Sequence, residues 1–150
     1  MITVLSKTDV KKILRQLKAQ FGIEDFGLDY IFTKSSKDRI FVVNKDLEKI
    51  NLSDYNINTA GLYIAKEEID GVRLTIEGSQ ILGPKATKNV LVLDNAEDWL
   101  RGKNIEIESE MKGYVIVKHC KDFLGCGRIN KKRLQNFIPK ARRLGEVAPS

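Results

Sequence analysis

Residues 113–129 of this 150-residue chain read GYVIVKHCKDFLGCGRI. The β-branched and aromatic residues within this stretch predict two strands, at 114–118 and 124–129. Further short strand patterns recur around it, with a spacing of roughly ten residues, at 90–93, 105–107 and 134–138. This spacing favours a small mixed β-barrel over a parallel α/β sheet.

A short helix is predicted inside this series of strands, at residues 95–100. It would bury Ala96, Trp99 and Leu100. Gly102 then ends the helix, because glycine adopts the left-handed backbone that commonly follows a helix.

The clearest helix of the chain lies near the N-terminus and begins after Ser6, an N-cap candidate. Gly22 ends it. Its apolar face consists of Val10, Ile13, Leu14, Leu17 and Phe21. Its opposite face carries Lys7, Lys11, Lys12, Arg15 and Lys18. These cations could touch phosphate, but the surrounding segment is electrically balanced, so a solvated face is the favoured interpretation.

The patterns between the first helix and residue 84 predict a small α/β arrangement. In order they are a hairpin with strands at 28–33 and 39–43, a short helix at 45–50, a strand at 61–65, an acidic turn at 66–71, a strand at 72–76 and a helical turn at 78–82. The Gly83-Pro84 pair and the polar residues after it mark a candidate boundary. We therefore expect an α+β protein with domains at 1–84 and 85–150.

Positive charge is concentrated at the C-terminal end of the chain. Residues 112–150 hold ten basic side chains and two acidic ones, whereas residues 1–84 hold twelve of each. An excess confined to one end points to a surface that meets a polyanion. The simplest such partner is the phosphate backbone of a nucleic acid.

The composition is that of a soluble globular protein, with 42% hydrophobic and 31% charged residues. No apolar run approaches the length that spans a bilayer, and the first residues lack the features of a secretory signal. These patterns predict a cytoplasmic protein without a membrane anchor. Cys120 and Cys126 are then expected as reduced thiols.

The segments VLVLDNAEDWLRGKNIEIE (90–108) and GYVIVKHCKDFLGCGRI (113–129) together resemble the PUA domain, an RNA-binding module. The positions that carry the resemblance are Asp94, Gly102, Gly113, Gly125 and Gly127. Two flanking segments, GLYIAKEEIDGVRLTIEGSQILGP (61–84) and NFIPKARRL (136–144), are similar to archaeal and eukaryotic proteins in which a small α/β pre-PUA domain precedes the barrel.

The resemblance implies that the groove beside the short helix receives RNA. Gly102 would allow close approach of the backbone, and Arg101 and Lys103 would flank it with positive charge. An ordinary glycine cap with two solvated basic neighbours is the alternative. The family also implies a target among structured ribosomal or transfer RNAs, in ribosome biogenesis, RNA modification or translation.

Two basic clusters lie beside the last predicted strand. The first is Lys131, Lys132 and Arg133 at a turn, and the second is Lys140, Arg142 and Arg143 after Pro139. Their mixture of arginine and lysine suits contacts to the phosphate backbone more than readout of bases. With only 7% aromatic residues, we expect recognition of RNA shape and backbone. A merely solubilising basic tail is the alternative.

Enzymatic interpretations have less support. His119, Cys120 and Cys126 supply at most three zinc ligands, and adjacent strand residues point apart, so neither a metal site nor a Cys–His pair is expected. Both thiols are predicted to be small core residues. The carboxylates Glu67, Glu68 and Asp70 are expected in an exposed turn, and no phosphate-binding glycine motif is present, so no cofactor is predicted.

The sequence thus predicts a noncatalytic RNA-binding protein with a pre-PUA domain at 1–84 and a PUA-like mixed barrel at 85–150. The electrically neutral first domain is suited to a protein partner. The alternative is an accessory subunit or a detached domain of an RNA-modifying enzyme, such as an RNA methyltransferase.

Overall fold

The residues that the structure describes form two five-stranded β-sheets, one on each side of the Gly83-Pro84 pair. The structure is a computed structural model that describes residues 2–24, 30–44 and 61–145. In none of these ranges is there a helix with both the length and the apolar character needed to cross a membrane.

The first sheet has the strand order β1-β2-β3-β4-β5 and is antiparallel throughout. Its elements, with the two helices of this half, are β1 (Thr3–Val4), α1 (Lys7–Phe21), β2 (Tyr30–Lys34), β3 (Arg39–Asn44), β4 (Leu62–Glu68), β5 (Gly71–Leu74) and α2 (Ile76–Leu82). A 3₁₀ turn at Gly83–Lys85 follows α2.

Helix α1 begins and ends at the residues that its caps predict. The Ser6 hydroxyl accepts a hydrogen bond from the backbone N–H of Asp9 at 3.2 Å, and Gly22 adopts a left-handed φ of 65°. The apolar face buries Ile13, Leu17 and Phe21, because these positions recur at the period of the helix. The predicted helix is therefore confirmed.

The predicted hairpin is also confirmed, since β2 and β3 pair from Tyr30↔Asn44 to Lys34↔Ile40. The first two residues of its predicted strand 28–33 and the predicted helix at 45–50 lie outside the described residues.

Two boundaries near residue 70 differ from the prediction. The turn predicted at 66–71 is present but shorter, because strand β4 continues to Glu68 and leaves only Ile69 and Asp70 in the turn. Strand β5 ends at Leu74 because the Thr75 hydroxyl accepts a hydrogen bond from Gly78 N–H at 3.0 Å and caps α2.

The second sheet is the curled, half-barrel β unit expected for the C-terminal half, with the order β6-β8-β9-β10-β7. Its elements, with the short helix of this half, are β6 (Val90–Val92), α3 (Glu97–Leu100), β7 (Ile105–Glu106), β8 (Gly113–His119), β9 (Asp122–Asn130) and β10 (Arg133–Asn136). A 3₁₀ turn follows at Lys140–Arg142. The sheet is mixed because β6 runs parallel to β8 while the other pairs are antiparallel. The α+β class is thus observed.

Strand β8 is buried on both faces and joins the two halves of the molecule. Tyr114 and Ile116 belong to a hydrophobic cluster with α1 and the first sheet. Val115 and Val117 point the other way, into a second cluster around Trp99. Because successive side chains of a strand point to opposite faces, one strand serves both cores.

The second core closes around Trp99, which is fully buried. A Cβ on Gly127 would lie 2.5 Å from Leu134 Cδ1 and 2.9 Å from the backbone oxygen of Gln135. The indole ring of Trp99 is also 3.0 Å from that position. Glycine at 127 is therefore required by close packing of β9 against β10 and α3.

A polar contact also connects the two halves. Asp70, at the β4–β5 turn, accepts hydrogen bonds from the Tyr114 hydroxyl at 2.8 Å and from Arg128 Nε at 2.6 Å. These hydrogen bonds lower the pKa of Asp70 below its ordinary value, and the bond from Tyr114 has the largest effect. Burial and the bond to Asp70 raise the pKa of Tyr114.

We predict that Gly127→Ala lowers the free energy of unfolding by about 1–3 kcal/mol, because the added methyl group overpacks the second core. Gly145→Ala is the matched control, since no atom lies within 4 Å of the Cβ that it adds. Urea denaturation followed by tryptophan fluorescence measures both. Equal stability of the two variants would contradict the packing role of Gly127.

We also predict that Asp70→Asn lowers the urea midpoint at neutral pH. A depressed pKa means that the Asp70 carboxylate stabilises the fold above its ordinary pKa of 3.8 and ceases to do so as the pH falls through the lower folded value. Wild type and variant should then converge in acid. Asp94→Asn, at an exposed carboxylate, is the control, and an equal effect of both substitutions at neutral pH would argue against the Asp70 contact.

Candidate nucleic-acid interface

The C-terminal end of α3 forms the first part of the candidate interface. Gly102 has a φ of 88°, and its N–H donates to Trp99 O at 2.9 Å. The N–H of Lys103 donates to Asp98 O at 3.0 Å. The left-handed glycine turns the chain so that Arg101 and Lys103 follow the helix on the surface.

The space beside Gly102 is occupied by the side chain of Arg143. A Cβ on Gly102 would lie 2.3 Å from both Cδ and Nε of Arg143. Arg143 Nε donates to Ile138 O at 2.9 Å, and Leu144 N–H donates to Leu100 O at 2.8 Å. The absence of a side chain at Gly102 thus leaves room for the Arg143 side chain. That Gly102 also allows RNA to approach the backbone closely remains a prediction.

Asn136 connects α3 to the last strand, a role that the sequence reasoning missed. Its side-chain amide donates to Trp99 O at 2.7 Å and to Lys103 O at 3.0 Å, and its backbone N–H donates to Asn104 Oδ1 at 2.9 Å. The residue is buried despite being polar. The local sequence gave no signal of this role, because the partners Trp99, Lys103 and Asn104 are distant from Asn136 in sequence.

The β9–β10 turn carries the other basic cluster. Lys131 and Lys132 have φ values of 52° and 61°, so both central residues of this turn are left-handed. Such turns usually contain asparagine and glycine. Here two lysines occupy them, with Arg133 directly after them, and all three side chains are exposed. The cluster lies at the opposite end of β10 from Lys140.

Five cations of the interface are held by partners within the chain. Arg101 pairs with Glu97 at 3.0 Å, Lys103 with Asp98 at 3.5 Å, Lys132 with Glu110 at 3.4 Å and Arg142 with Glu77, while Arg143 donates to a backbone oxygen. Pairs of this kind, largely exposed to solvent, contribute roughly 0–1 kcal/mol, so a phosphate can replace the carboxylate at little cost.

Three cations have no such partner. Within the described ranges, no carboxylate oxygen lies within 4 Å of the charged group of Lys131, Arg133 or Lys140, and all three are exposed. We group them with the five above under the name basic surface: Arg101, Lys103, Lys131, Lys132, Arg133, Lys140, Arg142 and Arg143. The structure thus places every predicted basic site residue along α3, β10 and the turns that flank β10.

A separate set of cations lies on α1. Lys7, Lys11, Lys12 and Arg15 are exposed, while Lys18 pairs with Glu24 at 3.1 Å. Among the described residues, the four exposed cations have no ion-pair partner. Helix α1 therefore offers a charge-matched comparison with the basic surface.

The two thiols occupy different environments, so the prediction that both are core residues is wrong for Cys120. Cys126 is buried, and burial raises its pKa to about 12. Cys120 is exposed because it lies in the turn after β8 with a φ of 53°. Its Sγ is 3.7 Å from Nε2 of His119, whose Nδ1 donates to Leu93 O at 2.8 Å.

The predicted carboxylate cluster is divided among three different cations. Glu67 accepts a hydrogen bond from Lys34 Nζ at 3.1 Å, and this bond raises the pKa of Lys34. Glu68 pairs with Arg73 at 3.3 Å, and Asp70 binds Arg128 as described above. These carboxylates are therefore engaged in structural contacts and do not converge on one site.

The comparisons with known proteins agree with this geometry. Residues 88–144 match the family model described as the PUA domain of the methyltransferase RsmF. The chain is also 27% identical over 139 residues to the ribosomal RNA small subunit methyltransferase F of Aeromonas salmonicida (strain A449). This alignment covers 91% of the present chain and 28% of the relative.

A β unit with a short helix, a helix-ending glycine and a Gly-x-Gly strand, matched over residues 88–144, is a PUA domain. Residues 88–144 thus form a PUA domain that is similar to the one of the RsmF methyltransferase. The predicted PUA resemblance is confirmed. The pre-PUA assignment of residues 1–84, the archaeal type and the boundary at 84 stay predictions.

We predict that a maleimide reagent labels native Cys120 and leaves native Cys126 unmodified, because only the first thiol is exposed. Mass spectrometry should show one adduct before denaturation and two after it. Cys120→Ser should abolish native labelling, whereas Cys126→Ser should not change it. Native labelling at Cys126 would show that the second sheet opens at this strand.

Proposed function

We propose that this chain is a noncatalytic RNA-binding module that docks on structured RNA through the basic surface. The observation that carries the proposal is that Lys131, Arg133 and Lys140, within a PUA domain, are exposed and have no carboxylate partner among the described residues. Binding would release counterions from the phosphate backbone, which is the usual source of affinity for such surfaces.

The backbone of the β9–β10 turn supports this proposal. Residues other than glycine with a positive φ are uncommon, and strained backbone tends to persist where it has a function. Lys131 and Lys132 both adopt this conformation and hold their ammonium groups at the tip of the turn. Asparagine and glycine would form the same turn with less strain, so two lysines at these positions are consistent with a role for their charge.

Ribosomal RNA is the proposed target. The relative from Aeromonas salmonicida is named as a methyltransferase of small-subunit ribosomal RNA, and the basic surface suits backbone contacts to a folded RNA. Transfer RNA is the second candidate, since PUA domains as a family imply either target. Ribosome biogenesis and RNA modification are the processes that these targets favour, with translation as the further candidate.

A role beside a methyltransferase is the more specific form of the proposal. The chain spans 28% of the length of the relative, and the alignment covers most of the residues before 88 as well as the PUA domain. We propose that residues 1–84 and 85–150 together present RNA to a catalytic domain, as an accessory subunit or a detached domain. The electrically neutral first half is the proposed surface for that protein partner.

We predict that a triple Lys131, Arg133, Lys140 to Ala variant binds a structured RNA hairpin with a flatter dependence of log Kd on log salt. Each lost phosphate contact changes the slope by about 0.7 to 0.9, so three contacts correspond to roughly 2 to 3. Fluorescence anisotropy over a salt series measures the slope.

The matched control is a triple Lys7, Arg15, Lys11 to Ala variant, which removes the same charge from the exposed face of α1. It should leave the slope of the wild type unchanged. A flatter slope in the control alone would place the RNA on α1. Absence of salt-dependent RNA binding by the wild type would overturn the proposed function itself.

A further inference from the structure

A groove of about 260 Å³ lies where the first sheet meets the PUA domain. Two aromatic rings, Tyr63 and Phe137, and three arginines, Arg39, Arg73 and Arg142, contribute to its lining. Glu77 is the one carboxylate among the described residues that line it. The groove is thus both aromatic and positively charged, a combination suited to a nucleotide.

Arg73 lines the groove and is held there by an aromatic ring and a carboxylate. The guanidinium of Arg73 lies 4.5 Å from the centroid of the Phe137 ring, and its NH2 pairs with Glu68 at 3.3 Å. A guanidinium fixed against a ring presents its other face for stacking, and nucleic-acid bases stack on such planes as they do on aromatic side chains.

A second platform lies beside it on the neighbouring strand. The guanidinium of Arg39 is 5.5 Å from the centroid of the Tyr63 ring, which also contacts Phe41 at 5.4 Å between centroids. Arg39 is exposed, and the described part of the chain offers it no carboxylate within 4 Å. Its positive charge is therefore free to meet a phosphate at the mouth of the groove.

The groove continues the basic surface. Arg142 lines it, and the next residue, Arg143, lies against Gly102 at the end of α3. RNA bound along α3 and the 139–143 segment would thus pass the mouth of the groove without a break. The volume of about 260 Å³ lies just below the range of roughly 300–1,000 Å³ typical of small-molecule sites. It fits one base better than a larger ligand.

We propose that this groove receives a single unpaired nucleotide of the bound RNA. The base stacks on the Arg73 plane and the Tyr63 ring, and Arg39 and Arg142 contact the adjoining phosphates. Glu77 holds Arg142 at the rim until phosphate replaces it. This inference rests on the proposed function and adds to it a preference for RNA with an unpaired segment beside a helix.

The test compares a blunt RNA hairpin with the same hairpin carrying a short single-stranded adenosine overhang. Stacking of a base corresponds to roughly 5- to 150-fold in Kd, so wild type should bind the overhang RNA at least about fivefold more tightly. Tyr63→Leu keeps an apolar side chain without the ring face, and Arg73→Lys keeps the charge without the plane. Each variant should reduce the ratio of the two Kd values towards one, with the affinity for blunt hairpin unchanged.

The controls are Phe123→Leu and Arg15→Lys, which make comparable changes at residues that do not line the groove. Both should keep the wild-type ratio. Two outcomes would overturn the proposed nucleotide site and leave the proposed function standing. One is binding of the blunt hairpin with no preference for the overhang, and the other is a preference that persists in both groove variants. Failure of wild type to bind either RNA would overturn both. Urea midpoints identify a variant that does not fold, in which case the other groove variant decides.

Discussion

The burial of strand β8 on both faces is the constraint on which the rest of the structure depends. Tyr114 and Ile116 complete the core under the first sheet, while Val115 and Val117 complete the core around Trp99. A sheet with two buried faces usually reads as a continuous apolar run, and GYVIV is such a run. Because both cores share this strand, the position of the PUA domain against the first half is fixed by packing.

The basic surface follows from that packing in two steps. Asn136 binds backbone groups of α3 and places β10 beside it, and Arg143 then fills the space that Gly102 leaves open. The Arg143 side chain, about forty positions from Gly102 in sequence, is thereby brought beside the end of α3. Carboxylates pair with some of the basic residues and hold their side chains in place. Exposed ion pairs contribute little stability, so a phosphate group can replace the carboxylate at little energetic cost.

The elements with clear periodicity were predicted well. Helix α1 matches its pattern because the spacing of its apolar residues defines the buried face. The hairpin of β2 and β3 and strands β8 and β9 match theirs because β-branched and aromatic residues favour strands. The acidic turn is shorter than predicted because Glu67 and Glu68 continue the pairing of β4 with β5, which the local pattern did not reveal. The prediction that Cys120 is buried was wrong, because this residue adopts a left-handed conformation in the turn after β8 and is exposed there.

The sequence by itself determined the α+β class, the caps of α1, the order of the PUA strands and the basic character of the C-terminal end, since each of these depends on local spacing or on composition. Only the tertiary structure decided which of the described cations pair with carboxylates, that Arg143 lies beside Gly102, and that Arg73 and Tyr63 line one groove with Phe137. The physical reason is that these properties arise from contacts between residues distant in sequence, and such contacts exist only once β8 has brought the two halves together.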